Sequence, residues 1–184
     1  MINKMFNNES NEIKSEFEIR KVEEKDMEQI CDLHARCWKE NFKWIIAQSH
    51  LDNFGMNPKK WRRSINERES DKYWMFVYDI WWKVIWIIDW WPSEKVGFDF
   101  EIYGFYVDPN FQRKWVWRKL WEYLKNSECF MRKNSFYLRT LKDNIIWWNF
   151  YKKMWWEIID ETKKKIGEKE YVLVCYARNS VKPR

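Results

Sequence analysis

Residues 100–124 join a strand, a turn and a helix, and this succession constrains the fold more than any other part of the chain. The first part is rich in aromatic and branched residues, which suits a pleated, half-buried strand. Asp108-Pro109-Asn110 then predicts a sharp turn. In the last part, apolar residues recur at spacings of three and four, which predicts a helix with one buried face. These residues are Val116, Leu120, Tyr123 and Leu124.

The predicted strand changes phase at Gly104. Apolar residues up to Ile102 lie at even positions, whereas Phe105 and Val107 lie at odd positions. A one-residue β-bulge produces this kind of phase change. We therefore predict a bulge that separates the neighbouring strands and leaves backbone groups available for a ligand.

Polar and basic residues crowd the first two turns of the predicted helix. Cations at a helix N-terminus oppose the helix dipole, at a cost of roughly 0.3–1 kcal/mol each when exposed. They are favourable if an anion binds there, because the free N–H groups also attract phosphate. A solvated basic face is the alternative, and the residues alone leave both interpretations open. The residues are Gln112, Arg113, Lys114, Arg118 and Lys119.

The stretch YVDPNFQRKWVWRKL resembles the acyl-CoA signature of the GNAT N-acetyltransferases. In that family a strand ending in Val-x-Pro precedes Gln/Arg-x-x-Gly-x-Gly/Ala and a helix, and the loop amides wrap the CoA pyrophosphate. Trp115 and Trp117 replace the two family glycines, whose small size lets phosphate approach the backbone. The resemblance implies that acetyl-CoA is held by Phe105, Tyr106, Val107, Gln112, Arg113, Lys114, Trp115, Val116, Trp117 and Arg118.

A second stretch, LKDNIIWWNFYKKMWW at residues 141–156, resembles the C-terminal GNAT motif Asn-x-x-Ala-x-x-Phe-Tyr-x-x-x-Gly-Phe. Asn144, Phe150 and Tyr151 match it, whereas Trp147 replaces a small residue. In the family the Asn contacts the CoA arm and the Tyr hydroxyl lies near the thioester sulfur. A core aromatic is the alternative interpretation of Tyr151.

The resemblance spans residues 17–178 and implies an α/β fold. The expected architecture is a mixed, mostly antiparallel central sheet of six to seven strands flanked by helices, and the order of strands and helices supports it. We expect a disordered leader at residues 1–16, one GNAT-like domain at 17–178 and a loose tail at 179–184.

The resemblance implies direct transfer of an acetyl group from acetyl-CoA to a primary amine in a ternary complex. Glu101 is the candidate base, with a solvent-facing strand carboxylate as the alternative. Backbone amides of Phe105 and Val107 would polarise the thioester carbonyl, and Tyr151 would protonate the departing thiolate. A non-catalytic or degenerate CoA-binding module remains the alternative function, because of Trp115 and Trp117.

Composition and net charge limit the kinds of ligand and partner that we expect. The net charge of +6 suits a polyanionic ligand, although no nucleic-acid-binding signature is present. Four cysteines without metal-ligand spacing and two histidines predict reduced thiols, a cytoplasmic protein and no metal site. No apolar run is long enough for a membrane span. The acceptor amine, small molecule or peptide, stays open, as does a homodimer, which GNAT domains often form.

Sixteen tryptophans and four glycines are an abnormal ratio, since glycine usually makes up about 7% of residues. Several tryptophans occupy turns and loops that require glycine, such as Trp81-Trp82 between two predicted strands. We hypothesise that many of them are glycines in the natural protein, through a reassigned UGA codon translated as tryptophan or through deliberate substitution. Ordinary UGG codons at these positions would contradict the codon route. The suspect positions are Trp44, Trp74, Trp81, Trp82, Trp86, Trp90, Trp91, Trp115, Trp117, Trp147 and Trp155.

Overall fold

The computed structural model describes residues 17–52, 74–112, 120, 123, 126, 135–153 and 156–179. The helices are α1 (Met27–Phe42), α2 (Gln48–Asp52) and α3 (Ile145–Lys153), with short 3-10 helices at Glu24–Asp26 and Pro109–Phe111. The strands are β1 (Phe17–Lys21), β2 (Trp74–Ile80), β3 (Lys83–Pro92), β4 (Phe100–Val107), β5 (Ser135–Leu141), β6 (Glu157–Ile166) and β7 (Lys169–Asn179).

All the strands belong to one seven-stranded sheet in the order β1-β2-β3-β4-β5-β7-β6. Neighbouring strands are antiparallel except β4 and β5, which are parallel. Hairpins can join antiparallel neighbours, whereas a parallel pair requires a long crossover connection. The prediction of a mixed, mostly antiparallel α/β sheet of six to seven strands is confirmed.

The two faces of the sheet are covered by different helices because strand residues alternate between the faces. On β2, Met75 and Val77 pack with α1, whereas Phe76 and Tyr78 belong to the cluster on the opposite face. That second cluster includes Leu120 and Tyr151. The sheet therefore lies between two layers. Helix α1 covers one face, and α3 together with the helical residues Leu120 and Tyr123 covers the other.

The predicted bulge in β4 is present. Asp89 of β3 lies opposite Gly104, while the next residue, Trp90, lies opposite Ile102, so that Tyr103 is the additional residue of β4. Gly104 is required beside this bulge, because a Cβ there would collide with the Asp89 carboxylate. The bulge brings apolar residues before and after it onto the same face of the sheet.

One boundary was predicted wrongly. Because Pro92 follows Trp90-Trp91, the sequence predicts a loop at Trp90–Val96. In the structure, however, Trp90, Trp91 and Pro92 continue β3 and pair with Ile102, Glu101 and Phe100. Trp90 is completely buried. Pro92 is the last residue of its strand, a position where a missing N–H is tolerated.

Several predictions concern residues outside the described ranges. They include the leader at 1–16, the residues of the phosphate loop from Arg113 to Lys119, and residues 180–184 of the tail. Within the predicted helix, Leu120, Tyr123 and Asn126 are helical, and Leu120 is fully buried. Strand β7 continues to Asn179, one residue beyond the predicted domain boundary.

The turn between β2 and β3 has the backbone geometry predicted for a glycine pair. Ile80 pairs with Lys83, which leaves Trp81 and Trp82 as a two-residue loop with φ angles of 53° and 66°. Two-residue hairpin loops with both φ angles positive favour Asn-Gly or Gly-Gly. The α1 residue Gln29 also fixes this turn, because its side chain donates to the Trp82 carbonyl and accepts from the Val84 N–H.

We predict that the double substitution Trp81→Gly and Trp82→Gly raises the free energy of unfolding by about 1–2 kcal/mol, because a side chain at each position makes the left-handed backbone unfavourable. The indoles of Trp81 and Trp82 are 68% and 76% exposed, so their removal takes away few packing contacts. Urea denaturation of both proteins measures the change.

Trp44→Gly is the matched control. Trp44 is 89% exposed and does not have a positive φ. Glycine there should leave stability unchanged or lower it by up to about 1 kcal/mol, through the greater freedom of the unfolded chain. Equal effects at Trp44 and at the turn would contradict the strain argument.

Candidate active site

The parallel strands β4 and β5 stay paired over only three residues. Phe100–Ile102 pair with Phe136–Leu138, and within the described residues the pairing ends there, immediately before the bulge at Tyr103. The remainder of β4 pairs on one side only, with β3. A gap therefore opens between β4 and β5 in the middle of the sheet.

The backbone of β4 points into this gap at alternate residues. The Asp108 N–H donates to the Ile85 carbonyl at 2.8 Å, which identifies a hydrogen-bonded pair of the β3–β4 ladder. Because such pairs alternate in an antiparallel ladder, the backbone groups of Phe105 and Val107 point away from β3. The Val107 carbonyl indeed accepts from the side chains of Gln112 and Cys37, at 3.0 Å and 3.3 Å.

Two cavities meet at this gap. The first, of about 470 Å³, is lined by α1, by β4 and β5, and by the β6–β7 hairpin, and we call it the hairpin cavity. The second, of about 580 Å³, lies between the end of β4 and α3, and we call it the helix cavity. Asn41, Phe105 and Trp147 line both. A molecule in one cavity would therefore lie beside a molecule in the other.

Trp147 occupies the junction of the two cavities. Its ring contacts Phe105 edge-on at 5.8 Å and stacks on Tyr151 at 5.8 Å. Its position in α3 corresponds to the small residue of the C-terminal motif. An indole at this point narrows the passage between the cavities.

Glu101 lies on the floor of the hairpin cavity and is 3% exposed. Its carboxylate accepts hydrogen bonds from the Tyr137 hydroxyl at 2.7 Å and from Arg139 Nε and Nη2 at 2.8 Å and 2.9 Å. Both donors come from β5, where Tyr137 is the direct neighbour of Glu101. Glu101 is thus a buried, ion-paired carboxylate and not a solvent-facing one.

Tyr151 is buried on α3 and lines the hairpin cavity. Burial, with smaller contributions from nearby Tyr106 and Tyr176, raises the pKa of Tyr151 well above its usual value. The phenol therefore keeps its proton at any physiological pH. The hydroxyl is therefore available as a hydrogen-bond or proton donor and does not act as a base.

Polar residues on both sides of the junction suit the arm of a CoA molecule. Asn144 lines the hairpin cavity and is 3% exposed, and among the described residues its Nδ2 has no hydrogen-bond partner. Buried polar atoms are rarely left in this state, so this donor favours a ligand. Gln112 and Phe150 line the helix cavity. Arg113, Lys114, Trp115, Val116, Trp117 and Arg118 lie outside the described residues.

The turn after β4 is fixed to α1 by a buried carboxylate. Asp108 is fully buried, and it accepts from the Asn110 N–H and from Arg36 Nη1, both at 2.9 Å. Burial alone would raise the pKa of Asp108, but these hydrogen bonds outweigh it and hold the pKa below its usual value. The predicted Asp-Pro-Asn turn is therefore confirmed.

An aromatic wall of α1 closes one side of the hairpin cavity. Trp38 and Phe42 line it with ring centroids 4.8 Å apart, and the Trp38 indole donates to the Tyr106 hydroxyl at 3.2 Å. His34 packs edge-on against Tyr106 at 4.4 Å. Burial lowers the pKa of His34 to about 4, so this imidazole is neutral near pH 7 and belongs to the core of the wall.

Several solved structures that share this architecture are N-acetyltransferases. The paiA N-acetyltransferase of Thermoplasma acidophilum in complex with coenzyme A superimposes with a TM-score of 0.70, at 16% identity, over 89% of this chain and 98% of that chain. The chain has the GNAT acyltransferase fold. No protein-family model matches the sequence, and no curated protein matches it.

Two further GNAT-fold structures show the range of acceptors on this architecture. The ribosomal-protein-S18-alanine N-acetyltransferase of Escherichia coli matches with a TM-score of 0.64, at 15% identity, over 91% of this chain and 96% of that chain. A chimeric spermidine N-acetyltransferase from Vibrio cholerae matches with a TM-score of 0.66, at 14% identity, over 90% and 96% of the two chains.

Sequence reasoning missed the partners of Glu101. Tyr137 and Arg139 were assigned only to a strand, because nothing local shows that this strand is the parallel neighbour of β4. Because side chains alternate along a strand, Tyr137 and Arg139 must lie on the same face of β5, and this was the one indication in the sequence that they could share a partner. Their contact with a residue 36 or 38 positions earlier is a product of the GNAT-fold topology.

No described helix has the length and apolar character needed to cross a membrane. Nor do three or more His, Cys, Asp or Glu side chains come together within the described ranges in a way that could hold a metal ion.

We predict that His34 makes the protein lose stability as the pH falls from about 6.5 to about 4. In this interval the unfolded chain binds a proton at this side chain and the folded protein does not, because burial lowers the folded pKa from 6.5 to about 4. By linkage the loss reaches roughly 3 kcal/mol. Urea unfolding at several pH values should show this slope in the parent protein and a flatter slope in His34→Gln.

His50→Gln is the control, because it removes the other histidine and leaves His34 in place. This variant should keep the slope of the parent protein. A His34→Gln protein that loses stability with acid as steeply as the parent would contradict the assignment.

Proposed function

We propose that this protein is a GNAT-family N-acetyltransferase that moves an acetyl group from acetyl-CoA to a primary amine, by direct transfer in a ternary complex. The observation that carries this proposal is the gap between β4 and β5, where the backbone of Phe105 and Val107 points toward the junction of two cavities. The helix cavity would hold the CoA arm, and the hairpin cavity would hold the acceptor.

In this proposal acetyl-CoA supplies the acetyl thioester, and the protein supplies positions for its atoms. The N–H groups of Phe105 and Val107 would donate to the pantetheine and to the thioester carbonyl, and so stabilise negative charge that develops on its oxygen. Asn144 lines the hairpin cavity, so it would donate its free N–H to the CoA arm where that arm reaches the junction of the two cavities. The segment from Arg113 to Arg118 would hold the pyrophosphate.

Tyr151 is the proposed general acid, because it is buried and remains protonated. It would give its proton to the departing thiolate. Glu101 is the proposed base. Because its carboxylate already accepts hydrogen bonds from Arg139 and Tyr137, transfer of the amine proton through a water molecule suits it better than direct contact with the amine. Tyr137 would help to orient the carboxylate for that transfer.

Direct transfer agrees with the state of the three cysteines that the structure describes. Burial raises the pKa of Cys37 to about 12, so its thiol is protonated at neutral pH. Cys31 and Cys175 are also buried. A thiol in this state is a poor nucleophile, and an acyl-cysteine intermediate is not part of the proposal.

A second candidate is a CoA-binding module without catalysis. Trp147 favours it, because the indole narrows the passage through which the amine would reach the thioester. The two candidates agree on acetyl-CoA binding and differ on turnover. A cytoplasmic location, a small-molecule or peptide acceptor and a homodimer remain parts of the proposal.

We predict that Tyr151→Phe lowers kcat about 10²–10⁴-fold, the usual contribution of a general acid, without weakening acetyl-CoA binding. CoA release, followed with a thiol reagent, measures turnover with spermidine, phenylalanine amide and an alanyl peptide as acceptors. Glu101→Gln should also lower kcat, because an amide cannot relay the proton.

Tyr176→Phe is the matched control. Tyr176 contacts the Tyr151 ring at 5.1 Å in the same core cluster, but it does not line either cavity, so kcat should stay near the parent value. Unchanged turnover in both Tyr151→Phe and Glu101→Gln would remove the chemical assignment. Acetyl-CoA binding without turnover of any acceptor would favour the binding module.

A further inference from the structure

The β6–β7 hairpin contributes a lysine to the wall of the hairpin cavity. Thr162 pairs with Leu173 and Lys164 pairs with Tyr171, and these two β7 residues pack into the core cluster beneath α1 and α2. Because strand residues alternate between faces, Thr162 and Lys164 lie on that same face. Both line the hairpin cavity. Within the described chain, the Lys164 ammonium has no ion-pair partner.

The adjacent lysine is in a different situation. Lys163 lies at the alternate position of β6, and its ammonium is 2.9 Å from the Glu170 carboxylate. Its side chain is 70% exposed. Both lysines line the hairpin cavity, but the Lys163 ammonium is paired with Glu170, whereas Lys164 lies on the strand face that Leu173 and Tyr171 share.

The acidic groups around the cavity are already neutralised by other residues. Glu101, the only described acid that lines it, is held by two nitrogens of Arg139. Asp160, farther along β6, is 2.7 Å from Lys95 Nζ. Lys164 therefore leaves the described lining with a net positive charge. A polycation in this cavity would meet uncompensated repulsion, whereas an anion would gain an ion pair.

We propose that the acceptor amine carries an anionic group, a carboxylate or a phosphate, which Lys164 binds in the hairpin cavity. This inference rests on the proposed acetyl transfer and adds the class of acceptor to it. The cavity volume of about 470 Å³ suits a molecule of amino-acid size. The aromatic wall of Trp38 and Phe42 offers contact for an apolar part of the same molecule. Polyamines do not satisfy this set of contacts.

The test compares acceptors with and without the anion, in the parent protein and in Lys164→Ala. Phenylalanine and phenylalanine amide form the carboxylate pair, and O-phosphoethanolamine and ethanolamine form the phosphate pair. For each acceptor the measured quantity is the ratio of kcat/KM between the parent protein and the variant. This ratio cancels the different intrinsic reactivities of the amines, since each acceptor is compared with itself.

Lys164→Ala should lower kcat/KM about tenfold for the anionic member of at least one pair, and less than about twofold for its neutral member. The pair that responds identifies carboxylate or phosphate as the anion. Lys165→Ala is the control, because Lys165 is an exposed lysine of β6 that lines neither cavity, and it should leave all ratios near one. Equal effects of Lys164→Ala on both members of both pairs would overturn the proposal, as would spermidine as the best acceptor.

A binding measurement does not depend on turnover. Ligand-observed NMR should show broadening of phenylalanine or O-phosphoethanolamine signals with the parent protein and less broadening with Lys164→Ala. Absence of binding by both anions would overturn the inference. Failure of the proposed function has a different signature, because the protein would then release no CoA with any amine, while NMR could still detect the anion at Lys164.

Discussion

The bulge at Tyr103 is the constraint on which the rest of the structure depends. One additional residue in β4 ends its pairing with β5 after three residues and turns the backbone of Phe105 and Val107 into open space. Without the bulge, β4 and β5 would remain paired along their length, and their backbone N–H and C=O groups would hydrogen-bond to each other within the sheet. Gly104 makes the bulge possible, because only a residue without a Cβ can lie against Asp89.

The electrostatics of the gap follow from burial. Tyr151 keeps its proton because its phenolate would be buried, and His34 is neutral near pH 7 because its imidazolium would be buried. Glu101 is ion-paired in the same interior, because β5 supplies Arg139 and Tyr137 beside it. The buried carboxylate of Glu101 thus lies near the gap because the neighbouring strand provides its ion-pair partner. Lys164 differs from Glu101, since it faces the cavity without such a partner among the described residues.

The sequence predicted those features that depend on local patterns. The phase change at Gly104 predicted the bulge, and Trp81-Trp82 between two strands predicted a turn with positive φ angles. The boundary of β3 was wrong at Trp90, since pairing with β4 outweighs the local turn signal of Trp90-Trp91-Pro92. The Glu101–Arg139 pair and the position of Lys164 could not be predicted, because both depend on the order of strands in the sheet.

The tryptophans connect the fold to the proposed function. At the β2–β3 turn they adopt a backbone conformation that favours glycine, and at Trp147 an indole narrows the junction of the two cavities. Trp115 and Trp117 belong to the segment proposed to bind the pyrophosphate. The most direct measurement is therefore an acetyl-CoA titration of the protein as it stands and of the variant carrying Trp115→Gly and Trp117→Gly. The account predicts tight binding by the glycine variant and much weaker binding by the parent, and absence of binding by both would contradict it.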